Sequence, residues 1–268
     1  FHRAFDHSCD PFKALEDIIS LGCARILTSG CRPTALEGAE TLAELVRRAS
    51  GRIIIMPGCG IRENNIAETA RKDIITFSYN TPEHKVENGV TYIKYKQEYI
   101  PLKIFGEHNL QNMNAARIVC HTLGISDEKF YKAISQFTGA TNRLEKVAET
   151  NSSVAYKDFA HSPSKLKATI HAVKEQYKNK QVIACMELHT FSSLRADFLP
   201  QYAHCMDEAD VAYVYYNPKV IEHKRLQEIK PEDVKTAFAS EKVKVFTDSE
   251  LLQTELRNRR YDNCVLLM

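Results

Sequence analysis

Short apolar runs alternate with amphipathic stretches along most of the chain, and residues 1–72 repeat that plan three times. Phe1–Asp6 reads as a strand. Asp10–Leu21 reads as a helix with Phe12, Leu15, Ile18 and Ile19 on one face, stopped by Gly22. Ala24–Ser29 and Ala35–Ala49 form the second pair, with Leu36, Ala39, Leu42, Leu45 and Val46 inward. Arg52–Met56 is a continuous apolar run, as expected of a strand buried on both faces. Pro57–Gly60 turns the chain, and Glu63–Arg71 is a weaker third helix. Three consecutive βα units predict a parallel sheet with right-handed crossovers, less than half of a (β/α)8 barrel.

The period changes after Arg71. Asp73–Ser78 alternates like a strand, Asn80–Gly89 is turn-rich, and Val90–Lys96 with Tyr99–Phe105 reads as a half-buried antiparallel hairpin. Helices follow over 107–123 and, from a Ser126 cap, over Asp127–Phe137. A strand from Arg143 through Val147 and another over Val154–Phe159 flank the turn at Asn151–Ser153. From Tyr156 onward strands and helices alternate: helix Lys165–Lys178, strand Gln181–Met186, helix Leu199–Asp207, strand Val211–Tyr215, helices Pro218–Leu226 and Pro231–Ser240, strand Lys242–Phe246, helix Ser249–Arg259 and strand Asn263–Leu267. That alternation predicts a doubly wound sheet. The predicted fold class is α/β: three βα units of a partial TIM barrel, a β-hairpin/helical segment, and a Rossmann-like domain. The predicted domains are 1–72, 73–138 and 139–268. No Gly/Ser-rich or Pro-rich linker separates the first two regimes, which points to a fusion or truncation joint near residues 70–76.

Composition narrows the picture. A net charge of +2 over 268 residues gives no basis for a nucleic-acid or membrane partner. No apolar run approaches the roughly 20 residues that span a bilayer. The chain opens with Phe-His-Arg rather than Met, and no signal-peptide pattern is visible. The eight cysteines contain no CxxC pair and read as reduced thiols, in keeping with a cytoplasmic protein.

Candidate chemistry gathers at the predicted strand ends. The stretch Tyr156–Ser164 delivers Asp158 and His161 to the mouth of a strand-to-helix turn, where open α/β sheets bind ligands. The alternative is a helix cap, by Ser162 or Ser164 with Pro163 in the first turn, beside a surface histidine. His108, Asn109 and Asn112 fall within one helical turn; Asn109 can cap, and an amide such as Asn112 presents the donor and acceptor that suit the edge of an adenine. Arg3, Asp6, Thr28, Ser29, Gly58 and Gly60 lie at the ends of the first three strands, as active-site groups or as a buried Arg3–Asp6 pair. Neither GxGxxG nor GxxxxGK[ST] occurs.

Two family resemblances follow. Phe1–Asp6, Arg25–Gly30 and Gly51–Gly58 resemble the later part of the CutC copper-homeostasis family, a TIM-barrel family. That resemblance implies copper as a ligand of residues 1–72, with Cys9, Cys31, Cys59, His2 and His7 nearby. Cys59 stands where the family pattern leads one to expect glycine. Residues 73–268 resemble the C-terminal part of the ATP-dependent Mur ligases of peptidoglycan assembly, most of all the murein peptide ligase branch. Four ordered motifs carry that likeness: Gly106–Asn112, Gly139–Glu145, Asp158–Pro163 and Glu187–Ser193. It implies ATP and Mg2+ as cofactors, UDP-N-acetylmuramate and a cell-wall peptide as partners, and amide formation through an acyl phosphate. By the same resemblance His108 and Asn112 would contact adenine, Arg143 would hold nucleotide, and Asp158 would contact ribose. His161, His189, Ser192 and Ser193 would face the substrate. The P-loop that holds the ATP phosphates in that family is missing from these residues, so the chain alone is expected to be inactive. A third expectation is a non-catalytic module binding peptide through His161, His189 and Arg195.

Overall fold

The first predicted strand is instead a 3-10 turn. In the computed structural model, which describes residues 1–61, 65 and 79–268, Phe1 alone pairs with the neighbouring strand. Its amino group donates to the Arg25 carbonyl, and its own carbonyl accepts Leu27 N at 2.9 Å. The His2 ring then accepts Ala4 N at 3.0 Å, which turns the chain into the 3-10 segment Arg3–His7 and buries Phe5. Helix α1 (Pro11–Ser20) starts where Asp10 Oδ1 accepts Phe12 N and Lys13 N, at 2.9 and 3.1 Å. Strands β1 (Arg25–Thr28) and β2 (Ile54–Pro57) pair in parallel, with α2 (Ala39–Ala49) between them in sequence. The predicted start of α2 at Ala35 is too early, because Thr34 and Glu37 hydrogen-bond each other and hold a turn there. Phe5, Leu15, Ile18, Ile26, Leu45, Ala49 and Ile53 form the core of this unit. β2 is not buried on both faces: Ile54 is 55% and Met56 39% exposed, and β1 is its one partner among the described residues. The predicted helix Glu63–Arg71 and strand Asp73–Ser78 lie outside the described residues.

The chain divides into two compact units, Phe1–Ser78 and Tyr79–Met268. The second begins with an antiparallel sheet of β3 (His84–Glu87), β4 (Val90–Tyr95) and β5 (Glu98–Leu102). β3 was not predicted, since it holds one apolar residue. The Asn88-Gly89 turn, with φ of 51° and 73°, is the signal that would have found it, because those angles suit a two-residue hairpin loop. Helices α3 (Glu107–Thr122) and α4 (Asp127–Ile134) pack on this sheet through Ile93, Leu102, Leu110, Met113 and Phe130. The Ser126 hydroxyl accepts Lys129 N at 3.4 Å as the α4 cap.

A six-stranded sheet follows in the order β10-β9-β8-β11-β7-β6. Its strands are β6 (Glu145–Glu149), β7 (Val154–Lys157), β8 (Gln181–Glu187), β9 (Val211–Tyr215), β10 (Val243–Phe246) and β11 (Cys264–Leu267). β6 pairs antiparallel to β7, and all other pairs are parallel. Successive residues of β8 serve opposite faces. Val182, Ala184 and Met186 join a core with α5 (Pro163–Gln176) and α7 (Pro231–Phe238). Ile183 and Cys185 pack with Leu252 and Leu256 of α8 (Ser249–Arg257). Both faces are therefore covered, as the continuous apolar runs predict. α6 (Pro218–His223) is shorter than predicted. The predicted helix Leu199–Asp207 survives only as a 3-10 turn, Leu199–Tyr202. Ala203, at φ −52° and ψ 128°, and His204, at φ 61°, turn the chain out of the helical path, while Tyr202, Cys205 and Met206 are buried. Among the described residues no helix is long and apolar enough to cross a membrane.

Candidate functional site

β7 ends at the mouth of the sheet, where two backbone bonds fix the loop that leaves it. Asp158 N donates to the Met268 carbonyl at 2.7 Å, and Phe159 N to the Asn142 carbonyl at 3.0 Å. The loop is followed by α5, with Pro163 in its first turn as predicted. Ser162 stands at the cap position but makes no side-chain capping bond, so the predicted serine cap is absent.

His108, Asn112, Arg143 and Asp158, predicted from separate segments, line one cavity of about 680 Å3. Its apolar wall includes Ile104, Met113, Ile134 and Phe137. The His108 ring and the Asn112 amide make no hydrogen bond to a described residue, so both hydrogen-bonding edges are free. Asn109 also lines the cavity, and its amide donates to the Phe105 carbonyl at 2.9 Å, which secures the first turn of α3. Gly106 before it has φ of 88°, and a Cβ there would lie 2.7 Å from Ala172 Cβ and 3.2 Å from His108 Cε1. The absent side chain lets α3 lie against α5 with His108 between them. Burial pushes the His108 pKa down and Lys165 adds to this, while Asp158 opposes it. Arg143 donates to the Phe159 carbonyl at 3.2 Å, with its guanidinium 5.7 Å from the Phe159 ring centre. Asp158 is held from two sides: Oδ1 accepts Leu144 N at 3.2 Å and Oδ2 accepts Thr169 Oγ1 at 2.7 Å. The sequence reading missed Thr169 and also Lys165, which lines the same cavity. Their positions in the first and second turns of the helix that follows the motif were the available signal.

A second cavity of about 600 Å3 lies at the carboxyl ends of β7, β8 and β11 and shares Asp158, Ala160 and Thr169 with the first. His161 and His189 both line it. Ser192 and Ser193 line neither cavity. Ser193 is 1% exposed, and its hydroxyl accepts Thr190 N at 3.0 Å, so it holds the loop instead of facing a substrate. Arg195 also stays apart, paired with Asp197 on the surface.

In the first unit the Arg3–Asp6 pair forms at 2.8 Å. Asp6 also accepts Thr28 Oγ1, Ser29 N and Cys31 N at 2.5, 3.0 and 3.1 Å. Burial opposes ionisation of Asp6, but these bonds outweigh it and hold its pKa down at about 2. The pair is thus a structural knot joining the 3-10 turn to the end of β1. Cys59 is exposed, with φ of 76°. Among the described residues no group of three or more His, Cys, Asp or Glu side chains is placed to hold a metal ion.

Comparison with known proteins follows the same division. Residues 1–81 match the model of the CutC family, and residues 142–268 match that of the Mur ligase glutamate ligase domain. A CutC family protein of Parabacteroides distasonis is 51% identical over 105 residues, 38% of this chain and 40% of that protein. One from Xanthomonas axonopodis pv. citri is 64% identical over 66 residues, 25% of this chain and 28% of that protein. Among solved structures, the UDP-N-acetylmuramate-alanine ligase MurC of Thermotoga maritima aligns with 91% of this chain and 55% of its own at a TM-score of 0.57 and 14% identity. MurF ligase from the same organism, in complex with ADP, aligns with 94% of this chain and 60% of its own at a TM-score of 0.55 and 15% identity. At such identities the likeness is one of fold. The chain spans less than half the length of these curated relatives and little more than half of the two ligases. Residues 1–81 thus carry the pattern of the CutC family, and residues 142–268 that of the Mur ligase glutamate ligase domain.

Proposed function

We propose that the larger cavity binds an adenine nucleotide, as the base- and ribose-holding part of a Mur-type ATP-dependent ligase. One observation carries this reading: His108, Asn112, Arg143 and Asp158 converge on a single cavity with an apolar wall. An apolar slot with a few convergent polar groups is what a planar base with hydrogen-bonding edges requires. Asn112 and His108 would meet the base, Asp158 would accept from ribose hydroxyls, and Arg143 would neutralise phosphate. Bound ATP would supply the phosphoryl group that activates a carboxylate as an acyl phosphate. In that reading the carboxylate belongs to UDP-N-acetylmuramate, the attacking amine to a cell-wall peptide, and the location is cytoplasmic. Phosphoryl transfer depends on clamping the phosphates, and no GxxxxGK[ST] is present in these 268 residues. The 268-residue chain is therefore expected to bind nucleotide without ligating.

Calorimetry with ADP tests the binding. The expected result is saturable heat that weakens at least about tenfold in His108→Ala and in Arg143→Ala. Absence of heat with the unaltered chain would remove the reading. An assay with ATP, Mg2+, UDP-N-acetylmuramate and tripeptide is expected to give no turnover above a blank.

The CutC likeness of residues 1–81 supports a second reading, copper handling by that unit. Copper(I) titration with Cys59→Ser as the control tests it, and identical affinity in the variant would exclude Cys59.

A further inference from the structure

We propose that Lys165 is a further binding residue of the larger cavity, whose ammonium takes a phosphate oxygen and makes the site select a nucleotide over its nucleoside. The inference rests on the nucleotide reading and adds to it a residue outside the motifs that carry it.

The helix register places the ammonium. Lys165 lies in the first turn of α5 and Thr169 four residues later, so the two share a face of the helix, and both line the cavity. Thr169 Oγ1 donates to Asp158 Oδ2 at 2.7 Å, and Asp158 Oδ1 accepts Leu144 N at 3.2 Å. Each oxygen of the carboxylate thus already accepts one bond from the protein, and Lys165 pairs with no carboxylate among the described residues. Lys174, further along the same helix, shows the contrast: its ammonium is bonded to Asp210 at 2.6 Å.

The charges of the lining do not balance. Among the described residues Arg143 and Lys165 stand there against the one carboxylate of Asp158, and burial holds the His108 ring toward its neutral form. One positive charge is left over, beside a wall that includes Ile104, Met113 and Phe137. A cleft with an excess of one sign concentrates ligands of the other. A nucleoside brings no charge to meet that excess, whereas a nucleotide phosphate does.

The two cations are not equivalent. Arg143 donates to the Phe159 carbonyl at 3.2 Å, with its guanidinium 5.7 Å from the Phe159 ring centre. The charge of Lys165 acts on the other side of the cavity, where it adds to the lowering of the His108 pKa by burial. Lys165 is therefore the cation with nothing to hold it back from a ligand. Its four-carbon stem turns freely, and its three donors suit a phosphate oxygen as a point charge does.

Calorimetry of the 268-residue chain with ADP and with adenosine tests this, using Lys165→Met, which keeps the stem, and Lys165→Arg, which keeps the charge. Lys165→Met is expected to weaken ADP binding at least about tenfold and to leave adenosine within about threefold, while Lys165→Arg keeps ADP within about threefold. Thermal unfolding of the Met variant is expected to match that of the unaltered chain. ADP affinity unchanged in Lys165→Met, as for a lysine that only faces solvent, would overturn the inference and leave the nucleotide reading standing. Equal losses for ADP and adenosine would also overturn it, because the residue would then act through the base pocket. Absence of binding by either ligand to the unaltered chain would remove the nucleotide reading, and the role of Lys165 with it. Should adenosine bind too weakly to measure, the contrast between the Met and Arg variants on ADP decides alone.

Discussion

Thr169 Oγ1 donates to Asp158 Oδ2 at 2.7 Å, from a position where Thr169 itself is 3% exposed. The helix that follows the motif therefore orients the carboxylate that leads it. Thr169→Val keeps the shape and removes the bond. It is expected to lower stability by about 1 kcal/mol in urea unfolding and to weaken ADP binding several-fold. Asp158→Ala is expected to cost more stability than Thr169→Val, because Leu144 N also loses its acceptor. Equal losses in the two variants would show that the Leu144 contact contributes nothing.

His108 is expected to titrate below the ordinary imidazole value near 6.5, chiefly because it is buried, with Lys165 acting in the same direction. On acidification the unfolded chain takes up that proton first. The stability tied to the neutral ring is thus complete above the ordinary value and is lost as pH falls below it. NMR titration of the His108 ring checks the direction. Lys165→Met is expected to raise the midpoint, and Asp158→Asn to lower it.

Asp6 gives the opposite kind of group the same pH direction. Its folded pKa of about 2 lies below the ordinary 3.8. Its stabilisation is complete above about pH 4 and disappears as pH falls toward 2. Asp6→Asn is expected to flatten acid unfolding of the first unit across that window. It should also cost at least about 2 kcal/mol at neutral pH, since an amide NH2 would face the donors now bonded to the carboxylate. Circular dichroism during acid titration of both proteins measures this.

Cysteine reactivity separates the eight thiols. Burial pushes the Cys185 thiol up to about 12, with Arg259 acting weakly the other way. Cys9 and Cys59 are exposed. Iodoacetamide at pH 8 is expected to modify Cys9 and Cys59 at least about tenfold faster than Cys185, as read by peptide mass mapping. Faster modification of Cys185 would contradict its place inside the sheet.

Much of the second unit was legible because its strands are apolar on both faces and bounded by turn residues: β7, β8 and β9 lie within a residue or two of their predicted spans. Convergence of His108, Asn112, Arg143 and Asp158 followed from motif likeness, not from periodicity. The failures have separate causes. Phe1–Asp6 has the composition of a strand, but the bond from Ala4 N to the His2 ring turns it after one paired residue. β3 depends on backbone pairing rather than on apolar side chains. Leu199–Asp207 has helical spacing, yet packing of Tyr202 and Met206 overrides it. Ser193 looked like a substrate contact and closes its own loop, because a hydroxyl three residues from a threonine is as well placed for the backbone as for a ligand.

Gln176 shows a link that no local pattern encodes. Its amide donates to the Gly89 carbonyl at 2.6 Å and accepts Thr91 Oγ1 at 2.7 Å, tying α5 to the β3–β4 hairpin. Gln176→Leu would leave the buried Thr91 hydroxyl and the Gly89 carbonyl unpaired. A loss of about 1–3 kcal/mol is expected in urea unfolding of the chain.

The place of β11 has a consequence for the order of events during synthesis. β11 sits between β7 and β8, although those two strands leave the ribosome much earlier; Ser153, just before β7, bonds to Cys264, 111 positions later. Until residues 264–267 emerge, β7 and β8 have no partner between them, and Asp158 N has no Met268 carbonyl to hold it. A nascent chain therefore carries two unpaired apolar edges for most of the time needed to translate this domain, the state in which sheet proteins are most open to mispairing and to capture by chaperones. In the proposed nucleotide reading, the wall made by α3 would form early during translation, but the loop bearing Asp158 would be set only when the central strand arrives.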